Sequence, residues 1–146
     1  MLVGALASAP GAAQVAPLPQ APPPPGAIRP QPVGTMSDLM ARVIYPASDA
    51  IIYIETRAPE NEAQWNELEG KALMVAEAAN LLMLPAHARD QQQWMADAKL
   101  MRDAGEAALQ AAKQRDLKAL AAMNETMVRS CTTCHQHYRR NYRRRP

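Results

Sequence analysis

From Thr35 onward, apolar and polar residues recur with the period of a helix. A first segment sets Met36, Leu39, Met40, Val43, Ala47, Ala50, Ile51 and Ile54 on one stripe, with Asp38, Arg42, Asp49 and Glu55 off it. Pro46 interrupts it. A proline has no backbone N–H and crowds the carbonyl four residues earlier, so a kink is predicted near Tyr45. A second segment runs from about Glu60 to Leu84, bounded by Pro59 and Pro85, with Trp65, Leu68, Ala72, Val75, Ala76, Ala79, Leu82 and Met83 as its stripe. A third, from about Arg89 to Lys113, carries Trp94, Met95, Ala98, Met101, Gly105, Ala108 and Leu109. Asp116 is placed to cap a fourth, which continues through Leu117, Leu120, Met123, Met127, Cys131, Cys134, Tyr138 and Tyr142.

No alternating strand pattern or internal repeat accompanies these segments. The connections, near Arg57–Pro59, Pro85–Ala88 and Gln114–Arg115, are only a few residues long, which makes neighbours in sequence antiparallel. The expected fold is all-α, an up-down-up-down four-helix bundle over residues 35–146. Its stripes are rich in alanine and methionine, and the chain has no phenylalanine. Alanine faces let helices approach closely but fill space poorly. A large flat apolar guest between the helices would supply the missing volume.

Residues 1–34 read differently. They hold most of the 13 prolines, including the run Pro22 to Pro25, and their only charge is Arg29. Such a segment favours extended polyproline conformations and builds no core. The apolar stretch from Met1 to Val15, with small-residue sites such as Ala7-Ser8-Ala9, resembles the end of a secretory signal, although no positively charged n-region precedes it. Export to a periplasm is the expectation. No apolar run approaches the roughly 20 residues that span a bilayer.

Charge narrows the partners. The 16 Lys and Arg nearly balance the 14 Asp and Glu, but Arg139, Arg140, Arg143, Arg144 and Arg145 crowd into the last eight positions. Without them the body is mildly acidic. Nucleic-acid binders spread basic charge over a face and interleave aromatics with it, so that class is not expected.

The chemistry is concentrated in Cys131-Thr132-Thr133-Cys134-His135, the C-x-x-C-H pattern of covalent haem attachment. Two thiols three residues apart can add to the two vinyl groups on one edge of a porphyrin, and the next residue carries an imidazole beneath the iron. One covalent haem c is expected, with Cys131 and Cys134 as thioethers and His135 as proximal ligand. Three other readings stand beside it. A redox dithiol uses C-x-x-C where a strand meets a helix N-terminus, whereas this motif falls late in a helix. A structural zinc site needs four ligands, and only His137 and the distant His87 remain to help. A disulfide between the two cysteines would be strained and would close almost no loop.

The run Cys131-Thr132-Thr133-Cys134-His135-Gln136-His137-Tyr138-Arg139 resembles the C-x-x-C-H-x-x-Y-R pattern that closes the last helix of cytochrome c′ and its low-spin relatives. The resemblance covers about Thr35 to Arg145 and implies a four-helix bundle with the haem near the C-terminus. It implies that Arg139 lies near the haem-binding histidine and that Tyr138 packs along the last helix. It also implies that a side chain of the first helix covers the other face of the iron. In cytochrome c′ proper that residue is apolar and leaves the haem five-coordinate; in the low-spin relatives a methionine of a Leu-Met pair ligates. Leu39-Met40 reads like such a pair, making Met40 the expected distal ligand. Met36, one turn earlier on the same face, is the alternative. Pro46 departs from the family's first helix. The resemblance also allows two subunits to pair through their first two helices.

Most of the nine methionines, counting Met1, should be packing residues, Met74, Met83, Met95, Met101, Met123 and Met127 among them. Trp65 and Trp94 read as core anchors, His87 as a solvated loop residue, and His137 as a surface residue pointing away from the face of His135. The expected role is an electron carrier serving redox partner proteins, not an enzyme. Sulfur opposite histidine favours ferrous iron and raises the potential. The rival expectation is a five-coordinate haem that binds nitric oxide or carbon monoxide, as a sensor or scavenger.

Overall fold

A computed structural model of the chain describes residues 30–139 and Gly26. Most of the Pro-rich segment before residue 30 lies outside the described residues. So does the tail from Arg140, with Tyr142 and the Arg143–Arg145 cluster.

Among the described residues the chain is all-helical, without strands. Helix α1 (Met36–Leu39) passes without a break through a π-helical turn (Met40–Ile44) into α2 (Tyr45–Ile52); α3 spans Glu62–Met83, α4 Gln93–Lys113 and α5 Leu117–Tyr138. Each start has a local cause. Thr35 and Asp38 form a capping box ahead of α1, each side chain accepting from the other's backbone N–H at 3.1 Å. Asn61 Oδ1 accepts from the Gln64 N–H at 3.0 Å to open α3, and Asp116 Oδ1 from the Ala119 N–H at 2.9 Å to open α5. Helix α4 begins a few residues later than its periodicity predicts. Asp90 Oδ1 accepts from the N–H groups of Gln92 and Trp94, holding the preceding residues in a capping loop.

The first helix departs from expectation at Pro46. The disturbance is a widened turn upstream of Tyr45, in which the Tyr45 N–H donates to the Met40 carbonyl. A π turn inserts one extra residue, so the inward register shifts by one position. Ile44, which the predicted stripe omits, is therefore buried, while Val43 is only partly so.

Alanine makes up half of the buried apolar core: Ala72, Ala76 and Ala79 of α3 and Ala98, Ala104 and Ala108 of α4 are buried, with Ile51, Ile54, Leu68, Leu82, Trp94, Met101, Leu120 and Met127 among the larger members. A Cβ built on Gly105 would lie 2.6 Å from the backbone nitrogen of Ala76, so α3 and α4 approach closely enough to exclude even a methyl group. Met74 departs from its predicted packing role and is largely exposed.

Side-chain bonds tie the ends together. Trp94 Nε1 donates to the Leu82 carbonyl at 2.6 Å, across the α3–α4 connection. Arg115, at φ 56° in the tight α4–α5 turn, pairs with Glu62 and Glu69 of α3 and lies over the Trp65 ring at 5.5 Å. Asn124 of α5 donates to the Ile52 carbonyl, satisfying the frayed end of α2. No helix among the described residues is long and apolar enough to cross a membrane.

Candidate functional site

The alanine-rich packing leaves a cavity of about 900 Å³ between the first helical run and α5. The sequence-predicted site residues meet there. Cys131, Cys134, His135 and Arg139 line it from α5 and its C-cap, and Met36 and Met40 line it from α1 and the π turn. The four-residue spacing of Met36 and Met40, closed by the α-helical bond from the Met40 N–H to the Met36 carbonyl, puts both thioethers on the cavity. Ile44, Ile52, Trp94 and Val128 complete apolar walls.

Cys131 and Cys134 are free thiols, half-buried on successive turns of α5. Burial raises the pKa of Cys131 above its ordinary value, against a smaller opposing effect of the Ser130 hydroxyl. Burial pushes Cys134 up to about 11, with further contributions from the carboxylate of Asp97 and from Cys131. Both are therefore protonated at neutral pH, the reverse of the thiolate that a redox dithiol requires. For His135, burial and then the neighbouring Arg139 charge lower the pKa, favouring the neutral imidazole that a metal ligand must be.

The end of α5 is held by two polar contacts and one aromatic contact. The Tyr138 hydroxyl donates to Asp90, and the Tyr138 ring meets Trp94 edge-on with centroids 4.9 Å apart. His137 Nδ1 lies 2.7 Å from Oδ2 of Asp97, whose other oxygen accepts from Gln93 Nε2 at 2.9 Å. Asp97 is 1 % exposed. His137 is partly exposed, as expected of a surface residue, but its ring turns toward α4, where its partner is a buried carboxylate that sequence reading missed. The third histidine, His87, is half-buried in the α3–α4 loop and lies away from this cavity.

The residues present fit the group that the motif implies. Two thiols, an imidazole and two thioethers share an apolar cavity within the size range of ligand sites. A structural zinc ion is less well provided for: no group of three or more His, Cys, Asp or Glu among the described residues could hold a metal ion. Comparison with known protein families, curated proteins and solved structures finds no match to this chain.

Proposed function

We propose that this chain is an exported, monohaem c-type cytochrome, similar to the low-spin relatives of cytochrome c′, that carries electrons between redox partner proteins. The observation carrying this reading is the convergence of Cys131, Cys134, His135 and Met40 on one cavity. In this reading the four helical runs form an up-down-up-down bundle. Its support is that Arg115, after α4, meets the start of α3, while Tyr138, ending α5, meets Asp90, just before α4.

Cys131 and Cys134 would hold the haem as thioethers, His135 would ligate on one side and Met40 on the other. When bound, haem supplies a one-electron iron couple. The chain's own residues supply the surroundings. Ile44, Ile52 and Trp94 would give the group apolar walls. The Asp97–His137 and Asp90–Tyr138 contacts fix the last turns of α5, so the imidazole of His135 is presented by a braced helix rather than a frayed one. Acidic surfaces on partner proteins suit the basic end of the chain.

The visible and near-infrared spectra of the ferric protein test this function. A low-spin spectrum with the weak near-infrared band of sulfur-to-iron ligation is expected, lost in Met40→Ala and kept in Met36→Ala. Loss only in Met36→Ala would retain the carrier and move the ligand by one turn. A high-spin spectrum, with rapid carbon monoxide binding by the ferrous form, would replace the carrier by the gas-binding alternative.

A further inference from the structure

Arg89 and Arg139, like Arg129, have no carboxylate partner among the described residues, whereas Arg42, Arg57, Arg102 and Arg115 are paired, Arg115 twice. Both line the cavity, although they come from different elements, the α3–α4 loop and the C-cap of α5. They share one end of it. Asp90, which follows Arg89, accepts from the hydroxyl of Tyr138, which precedes Arg139. Asp90 forms no ion pair with Arg89; its oxygens accept from the Tyr138 hydroxyl and from the N–H groups of Gln92 and Trp94. The site thus presents two uncommitted guanidinium groups at the rim of an otherwise apolar cavity. A guanidinium offers a planar fork of donors that matches a carboxylate.

Along α5 the order is Cys131, Cys134, His135, Arg139, so both cysteines lie farther from Arg139 than the proposed iron ligand does. Cys131 precedes Arg139 by eight residues and Cys134 by five, roughly 12 and 7.5 Å at the helical rise of 1.5 Å per residue. A porphyrin of the haem type carries its vinyl groups on one half and its two propionate carboxylates on the other. Thioether formation at Cys131 and Cys134 therefore turns the carboxylate half away from the cysteine end, toward the rim that holds the arginines.

Resting on the haem reading, we propose that Arg89 and Arg139 form a clamp for the two haem propionates, orienting the group and keeping its carboxylates ionised. Neither residue is a ligand or catalytic; both are positioning residues. The clamp also explains why an apolar cavity has a doubly basic rim on a body that is otherwise mildly acidic.

The test uses the mature holoprotein carrying haem with isotope-labelled propionate carbons, so that infrared bands of the propionates separate from those of Asp and Glu. The titration of those bands is compared in the unmutated protein, Arg89→Gln, Arg139→Gln, Arg89→Lys and Arg139→Lys. Opposite charge nearby lowers a carboxyl pKa, so each glutamine variant should raise the propionate pKa by about 1 unit, a tenfold change in proton affinity. The lysine variants should recover most of the shift, with less change in band position because lysine lacks the fork. Full haem content by intact mass with identical titrations in all five proteins overturns the clamp alone. A bare-chain mass for the unmutated protein overturns the haem reading and the clamp with it.

Discussion

Oδ2 of Asp97, buried in α4, lies 2.7 Å from Nδ1 of His137, two residues beyond His135. This contact joins the Cys131–His135 end of α5 to a residue of α4 that lies 40 positions away in sequence, and it gives a buried carboxylate its second partner. An unsatisfied buried acceptor costs about 1–3 kcal/mol. His137→Ala should therefore destabilise the fold by about that amount, despite the exposure of the imidazole's outer edge. Asp97→Ala should destabilise it as well, and the double variant should cost less than the sum. Denaturant unfolding of the four proteins in a double-mutant cycle gives the coupling, and strict additivity would dissolve the brace.

Gly105 and Gly70 offer a paired test of helix packing. A Cβ on Gly105 meets the backbone of Ala76 at 2.6 Å, whereas one on Gly70 meets nothing within 4 Å. Gly105→Ala must push α3 and α4 apart and should destabilise by about 1–3 kcal/mol. Gly70→Ala, in an exposed helix interior, should stabilise by about 0.5–1 kcal/mol. Thermal unfolding of the two variants should move in opposite directions; equal shifts of the same sign would contradict the close α3–α4 approach.

Thiol chemistry supplies a pH-dependent check on the burial of Cys134 in the haem-free chain. The thiolate is the reactive form, and folding raises the pKa of Cys134 to about 11. A raised pKa means less thiolate at every pH below it. Alkylation of Cys134 at pH 8 should thus be at least about tenfold slower in the folded haem-free chain than in urea, and should rise steadily beyond pH 9. Mass spectrometry of the alkylated peptides reads this directly. Rates equal to those in urea, from a chain whose circular dichroism is still helical, would contradict the burial of this thiol.

Much of this architecture was legible from periodicity. The stripes on α3 and α4 capture most of the buried residues, though not Ala78, Asp97, Ala104, Ala111 or Ala112, because uninterrupted helices keep a 3.6-residue period, and Asp116 caps α5 because its carboxylate can accept from an orphan N–H. Gly105 was readable as part of a stripe, but not as the point of closest approach, which depends on Ala76 across the interface. The first helix was misread at Val43 and Ile44 because a π turn breaks the period that the reading assumes; Pro46 marked the place but not the form of the disturbance. At the site, the Cys131–His135 spacing and the Leu39-Met40 pair pointed to residues that the fold brings to one cavity. Asp97 and Arg89 were not singled out. Asp97 sits on the buried face of α4 as a lone acid among apolar residues, a sequence signal of a buried polar partner. The role of Arg89 depends on loop geometry that no local pattern encodes.

The basic end of the chain gives a prediction about partners. Exposed charges act over about 10 Å at 0.1 M salt, so steering by this end should weaken as salt is added. Replacing Arg143, Arg144 and Arg145 by glutamine should slow electron transfer to an acidic partner at low salt and flatten the salt dependence. Stopped-flow rates identical in both proteins at every salt concentration would leave these arginines without a docking role.

The central claim is that Cys131 and Cys134 hold one haem covalently, and the mass of the intact protein tests it most directly. Protein made in a host with the cytochrome c maturation machinery should weigh one haem more than its polypeptide, and the colour should stay with the chain through acid-acetone extraction. In Cys131→Ala/Cys134→Ala both signals should disappear. A bare-chain mass for the unmutated protein, or a haem content that the double substitution leaves unchanged, would contradict the account.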